Sequence, residues 1–358
     1  MESWLATDLI SDPAKAAIGG LGIGLLFGIF AQSSRFCLRS ACIEFWGGRL
    51  GQHVAVWLFV FGSALLMVQI MMSEHVLVSS EVRQLATSGT LSGAAIGGLL
   101  FGAGMILARG CASRLLVLSA TGNLRALMAG LVVTVAAQAS LSGVLSPLRN
   151  WLSSLWIVDA NLRNLMNFVP NGSGILLGGL IVALAAIIAF RAGIGWRRGM
   201  LAAGVGASVA TGWWYTAALS HVSFTPITPS SVTFTGPSAD TLMALITSPS
   251  IPLHFGIGLV PGVFAGSFLS SVLRREFKVQ VFDADTGTLR YIVGASLMGF
   301  GGMLAGGCAV GAGVTGGSVL SMTAWLALLC MWIGAGVMEW MLRARDAEGG
   351  LSAHALSR

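Results

Sequence analysis

The sequence predicts an all-α polytopic membrane protein, with about nine transmembrane helices and about four short re-entrant helices in inverted pseudo-twofold repeats. Three observations lead there. The 358 residues are 55% hydrophobic and only 9% charged, with mean hydropathy +0.83. A soluble domain carries about 25% charged residues, so this chain cannot clothe a globule in polar surface. Glycine numbers 49, about twice the usual share of ~7% and without a collagen period; small residues let membrane helices approach closely. Finally, an apolar segment recurs along the chain, and each copy closes on a cysteine.

A span needs about 20 apolar residues. Segments of that kind lie at 15–33, 52–73, 88–108, 124–145, 172–191, 202–220, 252–272, 291–307 and 321–341. The pieces 36–47, 111–121, 194–201 and 308–319 are too short to cross. They read as re-entrant half-helices, with interfacial loops as the alternative. The chain divides into a tail (1–14), a first membrane repeat (15–145), an external connecting segment (146–171), a second membrane repeat (172–342) and a C-terminal tail (343–358). The first fifteen residues lack the basic start of a cleaved signal peptide.

The net charge is +6, but only Lys15 and Lys278 are lysines and no basic run exists, so a nucleic-acid patch is excluded. The cations follow the positive-inside rule instead. Arg35, Arg39 and Arg49 follow the first span, Arg109, Arg114 and Arg125 the third, and Arg191, Arg197 and Arg198 the fifth. Arg274, Arg275 and Lys278 follow the seventh, and Arg343 and Arg345 the ninth. The stretch Gly199–Leu273 has no cation, so its polar part, 221–252, reads as an outside loop. The N-terminus is then outside and the C-terminus cytoplasmic.

The repeats are specific. Gly24–Cys37 and Gly98–Cys111, offset by 74, share seven of fourteen residues, including Gly-Leu-Leu-Phe-Gly, the arginine and the cysteine. At an offset of 197, residues 97–112 and 294–309 share nine of sixteen, ending on Gly-Cys-Ala. The third copy falls on a span of opposite parity, as inverted transporter repeats do, with the substrate site near the midplane. A fourth copy is expected after the fifth span, where Gly195-Trp196-Arg197-Arg198-Gly199 places arginine in the cysteine's slot.

Cys37, Cys111 and Cys308 therefore stand where a helix ends and a short piece begins. Glycines there permit a sharp reversal, and a half-helix starting after it aims free N–H groups inward, which suits an anion. A neutral thiol is a soft, weak donor, so three of them suit a sulfur-bearing anion better than phosphate. Arg114, Arg197 and Arg198, beside the turns, are candidates for attracting it. Cys42 and Cys330 read as packing residues. With no CxxC or HExxH and five dispersed histidines, neither a metal nor a cofactor is expected. The series Gly20, Gly24, Gly28 reads as a helix-packing face.

At these residues the sequence resembles the YeeE/YedE family of bacterial sulfur-compound transporters over about residues 15–342. The carriers are Arg35-Phe36-Cys37, Gly110-Cys111-Ala112-Ser113 with Gly122–Leu127, Phe234–Asp240, and Gly307-Cys308-Ala309-Val310-Gly311. The resemblance implies a non-enzymatic importer of the bacterial inner membrane. Thiosulfate or a related anion would pass between the three cysteines through transient S–H···S contacts. It also implies a separate cytoplasmic partner, a TusA-like or rhodanese-type sulfurtransferase. Phe36 departs from the glycine common before the first cysteine and would narrow the path. Members linked to selenium leave a selenium compound as an alternative substrate. Two other classes compete: a membrane thiol–disulfide relay, and a scaffold that docks a sulfurtransferase and uses the cysteines as filler.

Overall fold

The computed structural model describes residues 10–168, 170, 172–223, 227–247, 252–281 and 287–356, with side chains through Arg345 apart from that of Thr247. Short helices are interspersed among long ones. The first half holds α1 (Asp12–Ser34), α2 (Leu38–Trp46), α3 (Gln52–Ser73), α4 (Leu91–Leu107), α5 (Ala112–Ala120) and α6 (Leu124–Leu141). The second holds α7 (Ser173–Arg191), α8 (Trp196–Val222), α9 (Thr235–Thr247), α10 (Phe255–Leu273), α11 (Thr288–Leu304), the π-helical α12 (Ala309–Gly316) and α13 (Met322–Leu356). A two-residue ribbon, Gly89–Thr90 against Ile157–Val158, ties the connecting segment to the start of α4.

Local chemistry sets several helix starts. The Thr90 hydroxyl accepts from the Gly93 N–H, and the Asn123 side chain accepts from Ala126, satisfying donors that open a helix. Glu44 reaches from α2 to accept from the amides of His53 and Val54, so a carboxylate caps α3. Pro13 sits in the first turn of α1, where its missing N–H costs nothing.

Among the described residues, eight helical stretches are long and apolar enough to cross a membrane, three of them formed by a long helix together with the short helix after it. The expected span at 202–220 is part of α8, a 27-residue helix. Its glycines, Ser208, Thr211, Trp213, Trp214, Tyr215 and Thr216 keep it below that apolarity, and it is held by its packing against α1 and α3 instead.

Two expectations change. The piece 194–201 is not a separate short helix: after a tight turn at Ala192–Gly195, α8 starts at Trp196 and runs on unbroken. The short helix of this part of the chain is α9, inside the stretch expected to be an outside loop. Residues 224–226 and 248–251 of that stretch lie outside the described residues, as do 1–9 of the N-terminal tail. Within the C-terminal tail, 343–358, helix α13 runs on to Leu356.

The halves interlock. Helix α1 packs on α10 and α8 on α3; α4 packs on α13 and α11 on α6; the central pairs are α1 with α8 and α4 with α11. Glycine makes the closest pair possible. A Cβ on Gly20, Gly24 or Gly28 would collide with backbone of α10 at Phe255, Leu259 and Val263. A Cβ on Gly258, Gly262 or Gly266 would likewise strike Ala17, Leu21 and Leu25. The glycine series is thus a packing face, with a second facing it.

Candidate functional site

Three turns of one design bring the cysteines into place. Arg35, Arg109 and Gly306 each end a long helix in the left-handed conformation, with φ of 57°, 57° and 82°. The next N–H reaches back to a carbonyl five residues earlier: Phe36 to Ala31 at 3.2 Å, Gly110 to Met105 at 3.1 Å, Gly307 to Gly302 at 2.8 Å. This is the Schellman closure. The cysteine follows in extended geometry as the N-cap of α2, α5 or α12. The same backbone device thus presents a thiol three times, although only Gly306 avoids the steric cost of positive φ.

The thiols differ in company. Cys37 and Cys111 lie near enough for each thiol to influence the other. The Cys111 sulfur also lies 3.4 Å from the Ser113 hydroxyl. Cys308 accepts a hydrogen bond from the Gly311 N–H at 3.4 Å. The Ser40 and Arg114 amides, each also three residues on, face the sulfurs of Cys37 and Cys111 in looser geometry. A sulfur that accepts from its own helix keeps its S–H free to donate elsewhere. All five cysteines are free thiols.

On the side toward the cation-rich ends, a polar chain backs the Cys37–Cys111 pair. The Arg114 guanidinium, whose charge acts on Cys37, donates to Gln32 at 3.3 Å. Gln32 is buried in α1 and donates in turn to Glu276 at 3.0 Å; Glu276 lies 3.7 Å from Arg35. Arg39 also acts on Cys37 and has a buried Nε without a hydrogen-bond partner among the described residues. Arg198 is committed elsewhere, donating to the Ser34 carbonyl at 3.1 Å and to Gln52 at 2.8 Å. Arg197 is exposed and lies over the Trp196 ring at 5.8 Å. Of the three arginines expected from the sequence, the structure brings Arg114 near the thiols; Arg198 is held by the end of α1 and the start of α3, and Arg197 lies over Trp196.

Cys308 belongs to the opposite side. Its neighbours Gly306 and Gly311 line a cavity of about 600 Å³ together with Thr233, Arg83, Asp240 and His254. Asp240 and His254 face each other at 4.0 Å. Burial raises the Asp240 carboxyl pKa from its ordinary value, and the nearby His254 offsets part of that.

Sequence reasoning missed Gln32, Glu276, Arg39 and the Asp240–His254 pair. Gln32 carried a usable signal, since a polar residue inside an apolar span needs a partner. Glu276 gave none, because an acidic residue in a basic loop reads as surface until the fold sets it against α1.

A family model described as sulphur transport matches residues 33–337. Two curated relatives, both named thiosulfate transporter TsuA, are similar over nearly their whole length. That of Escherichia coli is 26% identical over 356 residues, covering 92% of this chain and 95% of the relative. That of Spirochaeta thermophila is 29% identical over 343 residues, covering 91% and 99%.

Proposed function

The chain belongs to the sulphur-transport family, and from that premise we propose that it carries thiosulfate, or a closely related sulfur anion, across the bacterial inner membrane past Cys308, Cys111 and Cys37. The observation that carries this reading is the division of the thiols. One has neighbours lining a large cavity at the end where cations are scarce; the other two lie near each other and within the influence of Arg114 at the end where cations cluster.

Each thiol donates its S–H to the terminal sulfur of the anion and hands it to the next. The anion stays intact, no bond to the protein forms, and the role is transport rather than catalysis. At an effective dielectric of ~20, a unit charge 4 Å from a guanidinium gains about 4 kcal/mol. Arg114 and Arg39 therefore favour arrival at the inner pair, and the exposed arginines beyond favour release. Released anion would pass to a separate cytoplasmic sulfurtransferase.

The exchanged pairing of helices supports an inverted repeat: α1 on α10 mirrors α8 on α3, and α4 on α13 mirrors α11 on α6. In that scheme α2, α5, α9 and α12 are the four re-entrant helices, α7 is the extra span, and Phe234 takes the fourth cysteine's slot. The N-terminus is outside and the C-terminus cytoplasmic.

Growth on thiosulfate as sole sulfur source tests this, in a bacterium lacking its own sulfate and thiosulfate uptake and at matched membrane levels. The intact chain and Cys330→Ala support growth; Cys37→Ala, Cys111→Ala and Cys308→Ala lose it. Growth unaffected by all three changes overturns the thiol path. The nearness of Cys37 to Cys111 favours one second reading, a thiol–disulfide relay. That relay would cycle a disulfide between them during turnover, detectable by peptide mass spectrometry; a transporter keeps both as thiols.

A further inference from the structure

The lining of the outer cavity includes neither thiol of the inner pair. Thr233 lines the outer cavity. Its near neighbours Phe234 and Thr235 line a second cavity of about 170 Å³, shared with Ala112, Leu115 and Leu116 of α5, the helix capped by Cys111. The ring of Phe234 packs on Phe27 of α1 with centroids 5.2 Å apart and planes tilted by 54°. Phe27 is 0% exposed and Phe234 1%.

We propose that Phe234 and Phe27 form a closed aromatic gate between the outer cavity and the Cys37–Cys111 pair, with the Thr235 hydroxyl as the polar foothold for the sulfur anion passing it. The inference rests on the cysteines being a path and identifies what closes it. Three observations carry it. Phe234 ends the extended stretch 227–234, non-helical backbone held within the helices by bonds from Ser231 to the Val209 carbonyl and from Thr315 to the Val232 carbonyl. Such backbone is tolerated at membrane depth where it is enclosed by protein or lines a cavity. The Thr235 hydroxyl is fully buried, beside Gly302 and Phe101, and has no hydrogen-bond partner among the described residues. A buried hydroxyl left so is costly, and a ligand in transit satisfies it. Phe27 and Phe101 are also the matched phenylalanines of the Gly-Leu-Leu-Phe-Gly repeat, and both are fully buried.

The gate implies a selectivity rule. An apolar constriction admits what sheds its water easily. An anion with a soft sulfur at one end can lead with that end; sulfate, with four hydrated oxygens, cannot. Rotation of the rings suffices for passage, with no rocking of the helices.

The test uses the full chain in right-side-out membrane vesicles, with a small impermeant anionic methanethiosulfonate outside and labelled cysteines located by peptide mass spectrometry. In the unaltered protein Cys308 reacts at least ~10-fold faster than Cys111, because the constriction lies between them. Phe234→Ala brings the Cys111 rate to within about threefold of Cys308 and raises sulfate uptake about 10-fold or more; Phe234→Leu keeps an apolar plug and preserves both barriers. Thr235→Val lowers thiosulfate uptake about 10-fold while labelling stays as in the unaltered protein. Equal external reactivity of Cys111 and Cys308 in the unaltered protein overturns the gate. So does protection of Cys111 in Phe234→Ala protein that elutes like the original on size exclusion. Unchanged uptake by Thr235→Val removes the hydroxyl from the proposal. Labelling needs no transported thiosulfate, so a failure of the transport reading shows separately, as absent growth with the intact chain.

Discussion

At the scale of single residues, position decides what a side chain contributes. Five cysteines share one chemistry, yet Cys37, Cys111 and Cys308 each cap a short helix, whereas Cys330 lies within α13 and Cys42 within α2. The register of the repeat made the first three legible in the sequence. The pairing of Cys37 with Cys111, rather than of either with Cys308, was not legible, because the repeat says where each thiol falls on its own turn and nothing about which turns meet. Asp240 supplies a prediction at this scale. It shares the outer cavity with His254 and Arg83, and burial raises its pKa. As external pH falls through that raised value, the carboxyl is protonated sooner than an ordinary aspartate and the cavity loses a negative charge. Anion uptake therefore rises toward acid pH. Asp240→Asn abolishes that rise and, at alkaline pH, takes up thiosulfate about 2–3-fold faster than the original, the effect of one unit charge several ångströms away in a wet cavity. Initial uptake rates across external pH check both. The same shift bears on stability in the same direction: the folded state holds the proton more tightly, so stability falls as pH rises past the ordinary carboxylate pKa.

At the scale of helices, glycine spacing does the work that hydrophobicity does in water. Lipid solvates apolar side chains as well as protein does, so association depends on close backbone approach. The faces of α1 and α10 meet on Gly20, Gly24 and Gly28 against Gly258, Gly262 and Gly266. Gly262→Leu drives a side chain into the Leu21 backbone, which cannot yield as a flexible side chain would. The expected cost is about 1–3 kcal/mol or more, read as a lower melting temperature and less folded protein in detergent. Gly22→Leu is the control: a Cβ there meets nothing within 4 Å, and its effect stays within about 0.5 kcal/mol. The first glycine face was readable from its four-residue spacing, and the partner was not, since many helices here carry glycine. The fourth short helix shows the limit of pattern. Arginines at 197 and 198 suggested a turn, but they sit in the first turn of a continuous helix, while α9 hides in a stretch whose proline, serine and threonine content reads as loop.

At the scale of the whole molecule, the positive-inside bias predicts that both ends of α13 and the connecting segment have assignable sides. A cysteine introduced at Ser352 stays protected from an impermeant maleimide in right-side-out vesicles, and one at Ser153 reacts; the opposite pattern overturns the orientation. The sequence by itself determined the class of protein, eight of the nine expected apolar stretches, the three presenting turns and the family, because each depends on local composition and short-range register. Only the tertiary structure decided that Cys37 and Cys111 come near each other, that Arg114 rather than Arg197 reaches their surroundings at Gln32, and that the neighbours of Cys308, Gly306 and Gly311, line a separate cavity. Those relations join helices far apart in the chain, and glycine-lined packing, not any local preference, determines which helices approach.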